Sequence, residues 1–188
     1  MKITAIIPAR GGSKRLKNKN ISSIWGRPML YWSIDACRKS KYQIDVWVTS
    51  DSEEILQVAK DCGVKTHKRS EENAADHAYK QAAIREAATH IVDVEGRSDI
   101  YLSIQANSPT LTSDDLDKAI DLLIINKKDE IFSVDQNLMQ NAAFRVFRGD
   151  YVFQKDLSTC CGVVITNIFD VHTYDDIKEI EKEYDRKF

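Results

Sequence analysis

Apolar residues recur along this chain with two different spacings. From residue 2 to 8 a short run containing β-branched Ile3, Thr4, Ile6 and Ile7 stops at Pro8, the pattern of a buried strand. Similar runs predict strands over 44–49, 64–67, 100–104, 130–134 and 162–165. Between them the spacing lengthens to three and four. Pro28 suits the first turn of a helix that places Met29, Trp32, Ser33 and Ala36 on one face. Ser50 or Asp51 is placed to cap a helix through Ile55, Val58, Ala59 and Cys62, and Gly63 to end it. Helical spacing returns over 76–92 (Ala78, Ala82, Ala83, Ala87, Ile91). It recurs behind a cap at Ser113 (Leu116, Ile120, Leu123, Ile124 on the buried side), and again over 174–185. Residues 68–75 read as a polar loop. Residues 136–158 keep no sustained period, with short strands predicted around 144–147 and 151–153.

Strands alternating with helices of ten or more residues are βαβ units, which build a mainly parallel sheet covered on both faces. The chain is therefore expected to be a single α/β domain over 1–188, with no repeat, low-complexity tract or linker. In such sheets ligands lie beyond the carboxyl ends of the strands. That rule singles out the loops after Pro8, Thr49, Gln105 and Asp170.

Charge sharpens this picture. The 188 residues carry 27 bases and 29 acids, a net charge of −2. That balance argues against a general binder of nucleic acid or acidic membranes, which needs a basic excess. No apolar run approaches the ~20 residues that span a bilayer. The apolar stretch at the start is too short for a signal peptide, so a cytoplasmic protein is expected. The four cysteines fit that compartment as reduced thiols: Cys37 and Cys62 fall in helical patterns, and the adjacent Cys160 and Cys161 offer no Cys-x-x-Cys pair. The charge is also segregated. Lys2, Arg10, Lys14, Arg15, Lys17, Lys19 and Arg27 precede the first acid, Asp35, whereas residues 170–188 hold seven acids against four bases. A basic opening on a mildly acidic protein points to a local anion site.

The loop after the first strand, Pro8-Ala9-Arg10-Gly11-Gly12-Ser13-Lys14-Arg15-Leu16-Lys17-Asn18-Lys19-Asn20, supplies one. Paired glycines let the backbone approach an anion, and their amides can form a concave nest. Arg10, Lys14 and Lys19 add charges that neutralise a polyphosphate. The spacing is neither a P-loop nor a G-x-G-x-x-G fingerprint. His67 and His90 read as surface or core-edge residues, and Trp25, Trp32 and Trp47 as packing residues.

The segment 7–20 resembles the opening signature of the acylneuraminate cytidylyltransferases. The similarity continues through Gly26-Arg27-Pro28-Met29-Leu30, residues 48–55, Arg69, Ala75-Asp76, Gln105, Ser108-Pro109, Thr112 and residues 170–177. The resemblance implies a Rossmann-like nucleotide-diphospho-sugar transferase fold and transfer of CMP from CTP to a keto sugar acid, with release of pyrophosphate. Its implied alternatives are another acceptor, or a non-catalytic nucleotide-binding protein of the same fold. By the same resemblance, Ala9, Arg10, Gly11, Gly12, Ser13, Lys14, Lys19 and Asn20 would hold the triphosphate, and Arg69 with Asp76, Ala78 and Lys80 would lie near the cytidine. Gln105 and Ser108 would face the sugar acid. Asp170 would bind Mg²⁺, with Mn²⁺ as an alternative, and His172 stands where the family has the second aspartate of its metal pair. Asp170 and His172, two apart, are expected on the same side of an extended strand end. Lys80 replaces a serine expected near the base, and Ala106-Asn107 replaces Pro-Thr. The stretch between Val134 and Asp170 is shorter than the family's dimerisation segment. The expected partners are therefore CTP and a small sugar acid, with no nucleic acid or membrane, in a monomer or homodimer.

Overall fold

The structure, a computed structural model, describes residues 1–13, 15–74 and 79–184. Its centre is β1 (Ile3–Pro8), whose first five residues are buried. Parallel neighbours flank it on both sides: β4 (Ile44–Ser50), in register from Ile3 opposite Ile44 to Pro8 opposite Thr49, and β6 (Ile100–Ile104). β5 (Lys65–Lys68) extends the parallel block beyond β4. On the other side β8 (Gln140–Arg148) runs antiparallel between β6 and β7 (Glu130–Val134), and β9 (Cys161–Ile165) pairs parallel with β7. The seven strands lie in the order β5-β4-β1-β6-β8-β7-β9, and β2 (Ser23–Ile24) with β3 (Arg27–Pro28) forms a separate small ladder.

Alternation along β1 divides the core. Ala5 and Ile7 face α1 (Met29–Arg38), α2 (Glu53–Asp61) and α5 (Ser113–Ile125), joining Leu30, Ile34, Ile55, Leu116 and Ile120. Ile6 points to the opposite face, where Trp47, Tyr101 and Phe147 meet Ile84, Ala87 and Ile91 of α4 (Lys80–Glu95). A third cluster seats α6 (Tyr174–Glu183) through Ile177 and Ile180 against Ile24, Met29 and Trp32. The expected mainly parallel α/β sheet is thus present.

Several local expectations are corrected. The cap of α2 is Ser52, whose Oγ accepts the amide of Ile55, and not Ser50 or Asp51. Thr112 rather than Ser113 caps α5, in a reciprocal box with Asp115. Ile124 is exposed. Residues 71–74 form a helical turn, α3 (Glu71–Ala74), inside the predicted loop; α4 starts at Lys80, and the expected start at 76 lies outside the described residues. Residues 140–148 are one long strand, and 149–153 form a 3₁₀ turn instead of a strand.

The antiparallel half is held by an ion pair between buried Glu130 and part-buried Arg145. Glu130 accepts both Nε and Nη2 of Arg145, and it also accepts the amide of Ser158. Phenyl rings of Phe132 and Phe147 flank the guanidinium, each centroid 4.7 Å away. Removing one partner of such a pair leaves the other charged and unmatched. We expect Glu130→Ala to lower the unfolding free energy in urea by about 3 kcal/mol. A loss below a few tenths of that would show that Arg145 finds solvent.

Candidate active site

The loop after β1 is fixed by its own hydrogen bonds. The amide of Ala9 donates to the Thr49 carbonyl at 3.0 Å, that of Gly11 to Asp51 Oδ1 at 3.0 Å, and that of Ser13 to the Gly11 carbonyl at 2.9 Å. Buried Asn20 donates through Nδ2 to the Arg10 carbonyl at 3.0 Å. Gly11 is required by close approach: a Cβ there would lie 2.9 Å from Ser52 Cβ. These bonds correct the picture of an open amide nest, since the Ala9, Gly11 and Ser13 donors are already engaged. Asn20 likewise shapes the loop from beneath. The anion-binding capacity rests on side chains. Lys19 is half-buried, and burial, reinforced by Arg15 and Arg10, pushes its ammonium below the usual lysine range, while Asp170 pulls it back up. Lys14, Asp76 and Ala78 lie outside the described residues.

Asp170 approaches from the loop after β9. That loop is tied to the one after β6 by a reciprocal pair: Asn107 Nδ2 donates to the Val171 carbonyl at 2.9 Å, and the Val171 amide to the Asn107 carbonyl at 2.8 Å. Fully buried Ser108 donates its hydroxyl to Asp170 Oδ1, so it orients this carboxylate instead of facing an open subsite. Burial raises the Asp170 carboxyl above its usual range. The Ser108 bond and the charges of His172, Lys80 and Lys19 oppose that shift. Residues 170 and 172 do not share an extended strand end. The His172 amide is bound into the α6 cap by Asp176, and its Nδ1 lies 3.4 Å from Arg15 Nη2. Among the described residues no group of three or more His, Cys, Asp and Glu side chains forms a metal centre.

Arg69 leaves β5 and turns inward, buried, with Nη2 donating to the Thr49 carbonyl at 3.0 Å and Nε without a partner. Gln105 follows β6, its backbone amide donating to the Ala143 carbonyl at 2.8 Å and its backbone carbonyl accepting Ser33 Oγ at 2.7 Å. Lys80 begins α4. The residue is exposed at the surface, but its ammonium turns in against protein at the wall of a cavity and donates to the Ala142 carbonyl. Burial pushes it down to about 8, against the pull of Asp170.

Lys19, Lys80, Ser108 and Asp170 are thereby brought together, with Arg10 and Arg15 beside them. Reading the sequence did not single out Asp51 as the partner of the glycine loop, nor Arg145 and Ser103 in the cavity wall. An acid just past the end of the strand parallel to β1 was the available signal for Asp51. The other two carry none.

A family model described as Cytidylyltransferase matches residues 4–166. N-acylneuraminate cytidylyltransferase A of Danio rerio is 40% identical over 132 residues, 70% of this chain and 30% of that protein. Pseudaminic acid cytidylyltransferase of Campylobacter jejuni is 33% identical over 137 residues, 72% of this chain and 59% of that protein. The chain thus spans less than two thirds of the length of either relative. Among solved structures, a CMP:2-keto-3-deoxy-manno-octonic acid synthetase complexed with CTP superposes with a TM-score of 0.78 at 16% identity, covering 97% of this chain and 98% of that one. A cytidylyltransferase from Leptospira borgpetersenii gives 0.74 at 17% identity, covering 96% and 85%. These two likenesses are of fold. Taken with the family model and the relatives, they agree with the geometry described above: the chain belongs to the cytidylyltransferase family.

Proposed function

We propose that this protein transfers CMP from CTP to a hydroxyl of a keto sugar acid, an N-acylneuraminate or related nonulosonate, and releases pyrophosphate. The observation that carries the reading is the crowding of Arg10 and Arg15 around Lys19, and of Lys19, Lys80 and His172 around the part-buried carboxylate of Asp170, beyond the carboxyl ends of β1 and β6. Like charges held this close repel one another until a polyanion arrives, and a triphosphate matches them. Arg10, Lys19 and Lys14 would bind its oxygens. The unpartnered Arg69 Nε is a buried donor suited to a carbonyl of the base. In the reaction the acceptor oxygen bonds the α-phosphorus as its hydroxyl proton passes to solvent, and the bond from the α-phosphorus to the oxygen bridging the β-phosphate breaks, releasing pyrophosphate. The protein's task is positioning and neutralising charge on the phosphate oxygens.

Asp170 is an oxygen donor of the kind Mg²⁺ takes, and one carboxylate plus substrate phosphates is a usual Mg²⁺ set. It would therefore hold the ion that accompanies the nucleotide, which supplies further positive charge at the phosphates. His172, turned toward Arg15, adds no oxygen to that set. We read the assembly as a monomer or a homodimer built on a surface other than β8, which is paired along both edges within its own sheet. No helix among the described residues is long and apolar enough to cross a membrane. With its reduced thiols, the protein is read as cytoplasmic.

Pyrophosphate release, measured across the four nucleoside triphosphates with a panel of keto sugar acids, is expected only with CTP, a divalent cation and an acid. Nucleotide binding without turnover would mark a non-catalytic binder. Arg10→Ala and Lys19→Ala should each weaken CTP binding by about tenfold or more in calorimetry, the loss of one charge-assisted contact. The melting temperature should stay nearly unchanged, as for most surface-loop substitutions. Asp170→Asn separates function from stability. Because its folded carboxyl is raised above 3.8, Asp170 contributes stability below that value and loses it as pH rises through the folded value, so the ionised carboxylate is a cost at neutral pH. The variant should melt higher than wild type at pH 7, with the gap closing toward pH 4, while turnover falls about a hundredfold or more. Full metal-dependent activity in Asp170→Asn would contradict the assignment.

A further inference from the structure

On the α4 side of the sheet, between the start of that helix and strands β6, β8 and β7, lies a cavity of about 240 Å³. Its lining is lopsided. Lys80 and Arg145 bring two cations, phenyl rings bring apolar wall, and no acidic side chain is among the residues that line it. Arg145 is already spent on Glu130. Lys80 is not: among the described residues its three-proton ammonium makes one long contact, 3.4 Å to the Ala142 carbonyl. That carbonyl belongs to the bulged stretch of β8, where the pairing shifts between Phe132 opposite Arg145 and Val134 opposite Gln140. Ala142 itself has a positive φ of 58°, an unusual backbone state for a residue with a side chain. A second observation is independent of charge. Ser103, 2% exposed and lining the same cavity, has a hydroxyl with no hydrogen-bond partner. Buried polar atoms are nearly always paired, so an orphan aimed at a cavity marks a place for an incoming group.

We propose that Lys80 is the group that recognises the acceptor's carboxylate, with Ser103 taking a flanking hydroxyl, so that this cavity makes the protein choose acids over neutral sugars. The inference rests on the transferase reading above. The volume is below the roughly 300–1,000 Å³ of sites that enclose a drug-sized ligand. It suits a carboxylate with its neighbouring hydroxyls rather than a nucleotide. Lys80 also stands close enough to Asp170 to act on its charge, which sets the bound acid beside the phosphate site.

The test is direct binding, apart from turnover. N-acetylneuraminate, its methyl ester and 3-deoxy-manno-octulosonate are titrated calorimetrically into protein saturated with the non-cleavable α,β-methylene analogue of CTP. At least one acid should bind, and N-acetylneuraminate more tightly than its ester by tenfold or more. Lys80→Met should lose tenfold or more for the acid and Lys80→Arg should recover most of that, whereas the cytidine-side role that the resemblance implies for Lys80 would instead cost affinity for the nucleotide analogue. Ser103→Ala should weaken the acid and its ester alike. Three results would each overturn the proposal: no acid binding to wild type, equal acid affinity in Lys80→Met, or an equal loss of the nucleotide analogue. Pyrophosphate release with no Lys80 effect would leave the transferase reading standing and remove this inference. A Lys80-dependent acid site in a protein without turnover would do the opposite.

Discussion

The carbonyl oxygen of Thr49 accepts two hydrogen bonds, from the Ala9 amide and from Arg69 Nη2, both at 3.0 Å. Through that one atom the end of β4 fixes the first residue after β1 and the first after β5. The Arg69 amide adds a bond to Ser50 at 2.8 Å. A buried guanidinium is tolerable only where charges and acceptors surround it. Asp51 and Glu86 provide the charges that oppose the desolvation of Arg69. Asp51 at the same time accepts the Gly11 amide, so the residue that steadies the arginine also shapes the glycine loop. The remaining features of the site follow from this knot. The loop leaves β1 in one direction, Asn20 closes behind it, and Lys19 is carried to within reach of Asp170.

The resulting site is electrostatically unfinished on its own. Lys19 and Lys80 are both depressed by burial, and Asp170 is raised by it, even though the lysines and the carboxylate attract one another. Desolvation outweighs that attraction for each of them. Such a cluster spends folding stability to hold charges where solvent would have screened them, an arrangement common where a charged ligand completes the set. The apolar layers beneath, from Ile7 and Leu30 to Ile120, are what make the expense bearable.

What was legible in the sequence followed the strength of local signals. β1, β6 and β7 are apolar runs with clear stops, and they stand where those runs fall. Helix caps were displaced by a residue or two because Ser50, Asp51, Ser52, Thr112 and Ser113 all have capping side chains. Only the three-dimensional turn decides which of them reaches the amide three residues on. β8 was hidden for a different reason. Its bulge inserts residues into Gln-Asn-Ala-Ala-Phe-Arg-Val-Phe-Arg and breaks the alternation by which a strand is recognised. In the site, the basic loop and Asp170 were readable as a charge cluster and a family motif. The engagement of Ser108 with Asp170 joins residues 62 apart, and that of Gly11 with Asp51 joins residues 40 apart. No local pattern encodes either. Lys80 showed only as a departure from an expected serine, since its meaning depends on the carbonyl and the cavity that face it.

The strand order also has a mechanical side. Within the seven-stranded sheet, the parallel block of β5, β4, β1 and β6 meets the block of β8, β7 and β9 along one seam, the antiparallel pairing of β6 with β8. Ser103 belongs to the first block and Lys80 to the helix packed on it, and Arg145 and Ala142 belong to the second, so the cavity straddles this seam. Any molecule that fills it touches both blocks at once and acts as a rivet between them. Sliding or hinging of one block on the other would then be resisted by the occupant as well as by the five residue pairs of the seam. Rigidity across the sheet, and not only local order in a loop, thereby becomes a property that a small ligand can change.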